Sequence, residues 1–188
     1  MNGQPPTDRD QYIAQARRVR FAKRVVWIAA ALVLLAAAGY GISRYRRNYS
    51  QNRPGVLVPD QGRQHVALDA PFLYNSNPPT SGPHVAIPAE WGVYPVEVHD
   101  QILIHNLEHG GILIAYRPGI NSEVIAKLEG IAKEFGRKVI MAPRASNDAD
   151  IALAAWTRLD KFPVSEFTKE RVEAFIRAWR NKGPEFVP

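Results

Sequence analysis

The chain has no cysteine. Disulfides, thiolate metal sites and cysteine nucleophiles are therefore excluded. Methionine is nearly absent as well. Met1 and Met141 are the only two, too few for a thioether-rich copper site. No serine-nucleophile elbow occurs, and no glycine loop of the kind that cradles phosphate. Internal repeats and low-complexity segments are also missing. Charge of one sign is scarce over most of the chain. Residues 1–50 hold nine of the 24 Lys/Arg and two of the 18 Asp/Glu, a net +7. The remaining 138 residues hold fifteen and sixteen, a net −1. That part has no basic excess to drive phosphate binding, which argues against a nucleic-acid partner.

Charge is missing altogether from Val25 to Ile42, VVWIAAALVLLAAAGYGI. Eighteen residues of helix at about 1.5 Å each cover about 27 Å, close to the roughly 30 Å hydrocarbon core of a bilayer. Trp27 lies near one end, Tyr40 and Tyr45 near the other, where amphipathic rings favour the interface. A buried soluble helix of this length and apolarity would be unusual. The small residues 36–38 resemble a signal-peptidase site, but signal h-regions run about 7–15 residues, so an uncleaved anchor is the preferred reading. Residues 1–24 then form a basic tail with Arg9, Arg17, Arg18, Arg20, Lys23 and Arg24. Arg44, Arg46, Arg47 and Arg53 follow the span. The larger basic count precedes it, which predicts a cytoplasmic N-terminus and a C-terminal domain outside the cell membrane. The expected partner of 25–42 is the lipid bilayer.

Residues 43–55, SRYRRNYSQNRPG, read as a polar linker ending in a Pro-Gly turn. A single domain over 56–188 follows. VLV (56–58) and HVALD (65–69) are strand candidates. NSNPPTSGPH (75–84) holds three prolines and a glycine and must be a stiff loop; WGVYP (91–95) continues it. Loops this long in a compact domain are often functional. Residues 97–109 read as a helix, with Glu97 and Asp100 at its start and Gly110-Gly111 at its end. A hairpin, QILIH paired with GILIAY, is the alternative. ILIAY (112–116), VIMA (139–142) and IALAAWT (151–157) are strands. Residues 122–135 form an amphipathic helix capped by Asn121 or Ser122 and stopped by Gly136. A last helix starts near Ser165 or Thr168 and ends at Gly183-Pro184. The order βαβαββα predicts an α+β domain with a mixed four-stranded sheet covered by helices.

All five histidines, at 65, 84, 99, 105 and 109, lie within 45 consecutive residues. On a helix His105 and His109 share a face one turn apart, so one cation can touch both. The spacing His-x-x-Glu-His is also that of inverzincins, in which the glutamate is a general base. His84, at the end of a rigid loop, is the candidate for a third ligand. The bland alternative is a buried histidine bonded to a carbonyl, and Ile102 shares the face of the pair. Trp91 and Tyr94 read as loop-anchoring aromatics. Asn75, Ser76, Asn77, Thr80 and Ser81 read as side chains that satisfy turn backbone.

Two motifs resemble a known family. Asn77, Pro78, Pro79, Ser81, Gly82, Pro83 and His84 form the first; His105, Leu107, Glu108, His109 and Gly110 form the second. Together they look like the bacterial domain-of-unknown-function family numbered 3105, over roughly residues 60–188. The resemblance implies a short basic N-terminus, one transmembrane helix and one outer domain, and it implies no activity. Three functions follow from the residues. The first is binding of a divalent transition metal, zinc or copper, through His84, His105 and His109. The second is metal-dependent hydrolysis with Glu108 as base. The third is a non-catalytic envelope interaction module with a structural histidine-rich core.

Overall fold

The computed structural model describes residues 8–51 and 53–185. A first compact unit holds one helix, α1 (Asp8–Gln51). Its stretch Arg20–Arg44 is long and apolar enough to cross a membrane, and Trp27, Leu34 and Tyr40 are exposed on it. Residues 43–51, expected as a polar linker, are helical. The side chains of Arg9, Tyr45, Arg46 and Arg47 lie outside the described residues.

The second unit begins at Arg53. Its elements are β1 (Val56–Leu57), β2 (Gly92–Val93), α2 (Asp100–Glu108), β3 (Ile112–Tyr116), α3 (Ser122–Phe135), β4 (Val139–Pro143), β5 (Ile151–Ala155), β6 (Arg158–Phe162) and α4 (Lys169–Trp179). The fold is α+β, but the sheet has six strands rather than four, in the order β1-β6-β5-β3-β4-β2. The pairs β3–β4 and β4–β2 are parallel; β3–β5, β5–β6 and β6–β1 are antiparallel.

The extra strands have plain causes. IALAAWT is not one strand: β5 ends at Ala155, and a two-residue turn, Trp156-Thr157, returns the chain as β6 in register Ala155↔Arg158. The polar sequence RLDKF disguised β6, in which only Leu159 and Phe162 are buried. β2 is two residues inside the stretch expected to be irregular, held by pairing Gly92↔Ile140 and Val93↔Met141. HVALD is not a strand. It contributes one residue, His65, to a parallel bridge with His84. The segment 97–109 holds a helix rather than a hairpin, but a shorter one, Asp100–Glu108. The last helix starts after its N-cap Thr168, whose side chain accepts from Arg171 N, and ends at Trp179, before Gly183.

The central strands read as unbroken apolar runs because helices or loops cover both faces. Period-two alternation sends Ile112, Ile114, Met141, Leu153 and Phe162 to one face, where they meet Leu128 and Ile131 of α3 and Phe175, Ile176 and Trp179 of α4. Leu113, Ala115, Ile140, Ala152 and Ala154 face the other way, toward Leu103, Ile104 and Leu107 of α2 and the rings of Tyr74, Trp91 and Tyr94. The histidines lie on α2 and in the loops of this second side.

Candidate metal centre

The loop 75–84 is set by hydrogen bonds rather than by a regular element. Asn77 precedes a cis peptide to Pro78. Its side-chain Oδ1 accepts from Arg144 Nη1, and its Nδ2 donates to Ser146 O at 2.7 Å. Pro78, Pro79 and Thr80 are buried. Asn75 donates to Pro59 O and Ser76 to Pro78 O, and Ser81 Oγ accepts from Gln61 N. Thr80 departs from this expectation: its buried hydroxyl has no partner among the described residues. Tyr74 donates to Pro83 O at 2.5 Å. Gly82 has φ +116°, and a Cβ there would stand 3.0 Å from the Tyr74 ring. Gly82 N donates to Gly62 O, His84 N to Gln64 O, and Val66 N to His84 O. This backbone ladder puts His65 beside His84.

Helix α2 is docked by its own polar side chains. His99 caps it, accepting from Gln101 N, and its other ring nitrogen lies 2.9 Å from Asp69. His99 is thus a cap and no part of the centre. The buried amide of Gln101 holds Asp69 N and Ala70 O, and that of Asn106 holds both backbone groups of Ala89. The helix ends in a glycine cap. Gly110 has φ +76°, Gly110 N donates to Leu107 O, and Gly111 N donates to Asn106 O. A Cβ on Gly111 would lie 2.6 Å from both Asn106 O and the Trp91 ring. Asp100 at the helix start takes both nitrogens of the Arg144 fork at 2.7 and 2.8 Å. Arg144 also reaches Asn147 and Asn77, so one buried guanidinium ties the loop, the helix and the segment after β4 together.

Four side chains then converge. His65, His84, His105 and Glu108 each offer a ligand atom within 4.8 Å of every other. His84 Nδ1 donates to Gly82 O at 2.8 Å, and His105 Nδ1 to Val85 O at 2.7 Å. A carbonyl only accepts, so each ring in its neutral form carries the proton on Nδ1 and presents a bare Nε2. His84 Nε2 is 2.9 Å from Glu108 Oε2, and His65 Nε2 is 3.8 Å from the same oxygen. Tetrahedral zinc at about 2.0–2.1 Å from its ligands separates them by about 3.3 Å, between those two distances. Burial pushes the His105 pKa down, and the neighbouring His109 and His84 add to this against the Val85 carbonyl. Neutral His105 is the form that ligates.

Of the three expected ligands, the fold brings His84 and His105 together. His109 Nε2 lies 3.1 Å from His105 Nε2, but His109 groups with Glu108 and Glu185. Glu108, expected as a base only under the hydrolase alternative, stands in both groups that could hold an ion. Sequence reasoning missed His65 and Glu185 as members of these groups. His65 belonged to the histidine cluster, but its neighbour depends on a bridge between segments nineteen residues apart. Nothing in the sequence marks Glu185.

A family model described as "Protein of unknown function (DUF3105)" matches residues 65–187. The chain belongs to this family. The match begins at His65 and takes in both His/Glu groups and every strand except β1. No curated protein and no solved structure matches the chain.

Proposed function

We propose that the domain binds a divalent transition metal, zinc or copper, through His65, His84, His105 and Glu108. The observation that carries this reading is the environment of Glu108. Its side chain is 3% exposed and sits at the C-terminal end of α2, where the helix dipole disfavours an anion. The nearest nitrogen facing it, His84 Nε2, belongs to a ring whose Nδ1 proton is already given to Gly82 O. Arg63 Nη1, on an exposed side chain, stands 3.9 Å from Glu108 Oε1, but the lone pair against Oε2 at 2.9 Å still needs a proton or a cation between them. A metal ion meets that need for several rings at once. Three imidazoles and a carboxylate, with no thiolate, suit zinc and copper. A carboxylate that ligates the ion is not free to act as a base, so this reading has no hydrolytic role for Glu108.

The test uses the full chain in detergent micelles, stripped with a chelator, reloaded with zinc or copper and desalted. Elemental analysis should find stoichiometric metal in the parent and a loss in His84→Ala and His105→Ala. A metal-free parent sinks the proposal. Melting temperature separates it from a purely structural histidine core. Bound metal at 100 times its Kd adds about 2.7 kcal/mol to the parent and nothing to the variants.

We further propose that Val25–Ile42 anchors the chain in the cell membrane, N-terminus in the cytoplasm. The charge-free span and its basic flanks support this. The chain has no cysteine, so single cysteines label without background. An impermeant maleimide added to intact cells should modify Lys127→Cys and spare Arg17→Cys. The reverse pattern overturns the orientation.

A further inference from the structure

The second group of ligands shares one residue with the first. Glu108, His109 and Glu185 offer ligand atoms within 4.8 Å of one another. His109 Nε2 is 3.7 Å from Glu185 Oε2 and 3.1 Å from His105 Nε2. Resting on the metal-binding reading above, we propose that the centre holds two metal ions bridged by the Glu108 carboxylate. One ion sits among His65, His84 and His105, and the other between His109 and Glu185.

The approach of Glu185 is built into the backbone. After α4 the chain crosses the C-terminal end of α2. Asn181 N donates to Gly110 O at 2.8 Å and Glu185 N to Glu108 O at 3.1 Å. A Cβ on Gly183 would lie 2.0 Å from Glu108 O and 2.3 Å from Gly110 N, and one on Gly110 2.8 Å from Asn181 Cα. Glycine at both positions lets the two backbones touch. The contact uses carbonyls that a helix end leaves unpaired, and it places a carboxylate one residue-width from His109. The two groups differ in ligand number rather than in exposure, since one side chain of each, His65 and Glu185, is 48% exposed. The inner ion is held by four protein groups. The outer one has three, one of them shared, and completes its shell with water. Two ions joined by a carboxylate stand about 3.5–4 Å apart. The outer ion is the weaker and the faster to exchange.

Zinc is the first probe. The full chain in micelles, freed of metal, is titrated against a chromophoric chelator, and the bound metal is counted after desalting. Two zinc ions per chain are expected in the parent, the second released at lower chelator strength. Glu185→Gln and His109→Ala should each retain one ion, at the affinity of the parent's tighter site. Glu185→Gln leaves the backbone bond to Glu108 in place, so folding is not at stake. Glu108→Gln should weaken both ions. One ion in the parent, unchanged in Glu185→Gln, overturns the two-metal proposal and leaves the single-metal reading standing. No metal in the parent, with copper tried in place of zinc as well, overturns both. Two ions retained in Glu185→Gln overturns Glu185 as a ligand of the outer ion, and loss of only one in Glu108→Gln overturns the bridge.

Discussion

On one face of the sheet, α3 and α4 press Leu128, Phe175 and Ile176 onto Ile114, Met141 and Leu153, and the Arg171–Asp160 pair borders this cluster over Phe162. On the other face, α2 and the loops supply a smaller apolar cluster beside buried His84, His105, Asn106, Glu108 and Arg144. The first face is stabilised by area removed from water, which has no direction. The second depends on hydrogen bonds of fixed geometry between side chains and backbone carbonyls. Such bonds add little net stability each, but leaving one partner unpaired in the interior is costly. The difference teaches where a site can be built. Polar groups that hold a loop in one shape also hold imidazoles in one tautomer.

The largest effect should come from the apolar face. Phe175→Ala is expected to cost about 3–5 kcal/mol in urea unfolding of the full chain, while the stabilisation by added zinc stays at the parent's value. A lost zinc effect would show that the faces are not independent. Arg144→Ala attacks the polar face and should cost about 3 kcal/mol, since it leaves Asp100 without its fork and Asn77 without its donor. It should also weaken zinc, because the 75–84 loop carries His84. Retention of parental affinity would separate the network from the centre. Thr168→Ala removes the N-cap of α4 and should cost about 1 kcal/mol, with metal uptake unchanged. The smallest effect is on pH. The buried His105 binds its proton less readily folded than unfolded. The unfolded chain therefore takes it first, and stability of the metal-free protein falls as pH drops below about 6.5. Urea midpoints at pH 7.5 and 5.5 should show a smaller decrease in His105→Gln than in the parent. An equal decrease would assign the loss to the other histidines.

Periodicity made the apolar face legible. The 3.6-residue repeat of Val124, Leu128 and Ile131, closed by Asn121 and Gly136, marks α3 almost to the residue. The runs ILIAY and VIMA mark β3 and β4 for the same reason. β6 and β2 escaped because RLDKF and the pair Gly92-Val93 have no apolar run, and pairing partners supply their order. On the polar face, His84 and His105 were visible as members of a cluster within a rigid loop and a helix. His65 and Glu185 were not, because contacts between distant segments bring them in.

Local sequence alone decided the charge-free span from Val25 to Ile42, the absence of thiolate chemistry and the pairing of His105 with His109 one helical turn apart. These follow from composition and from the pitch of a helix, and need no distant partner. The three-dimensional fold decided which ligands meet. The His65–His84 bridge, the tautomers set by Gly82 O and Val85 O, and the arrival of Glu185 across Gly110 are contacts over 2 to 77 residues of separation. The longer of them have no periodic signature, because their geometry exists only once the sheet has packed and the loops have been closed over it.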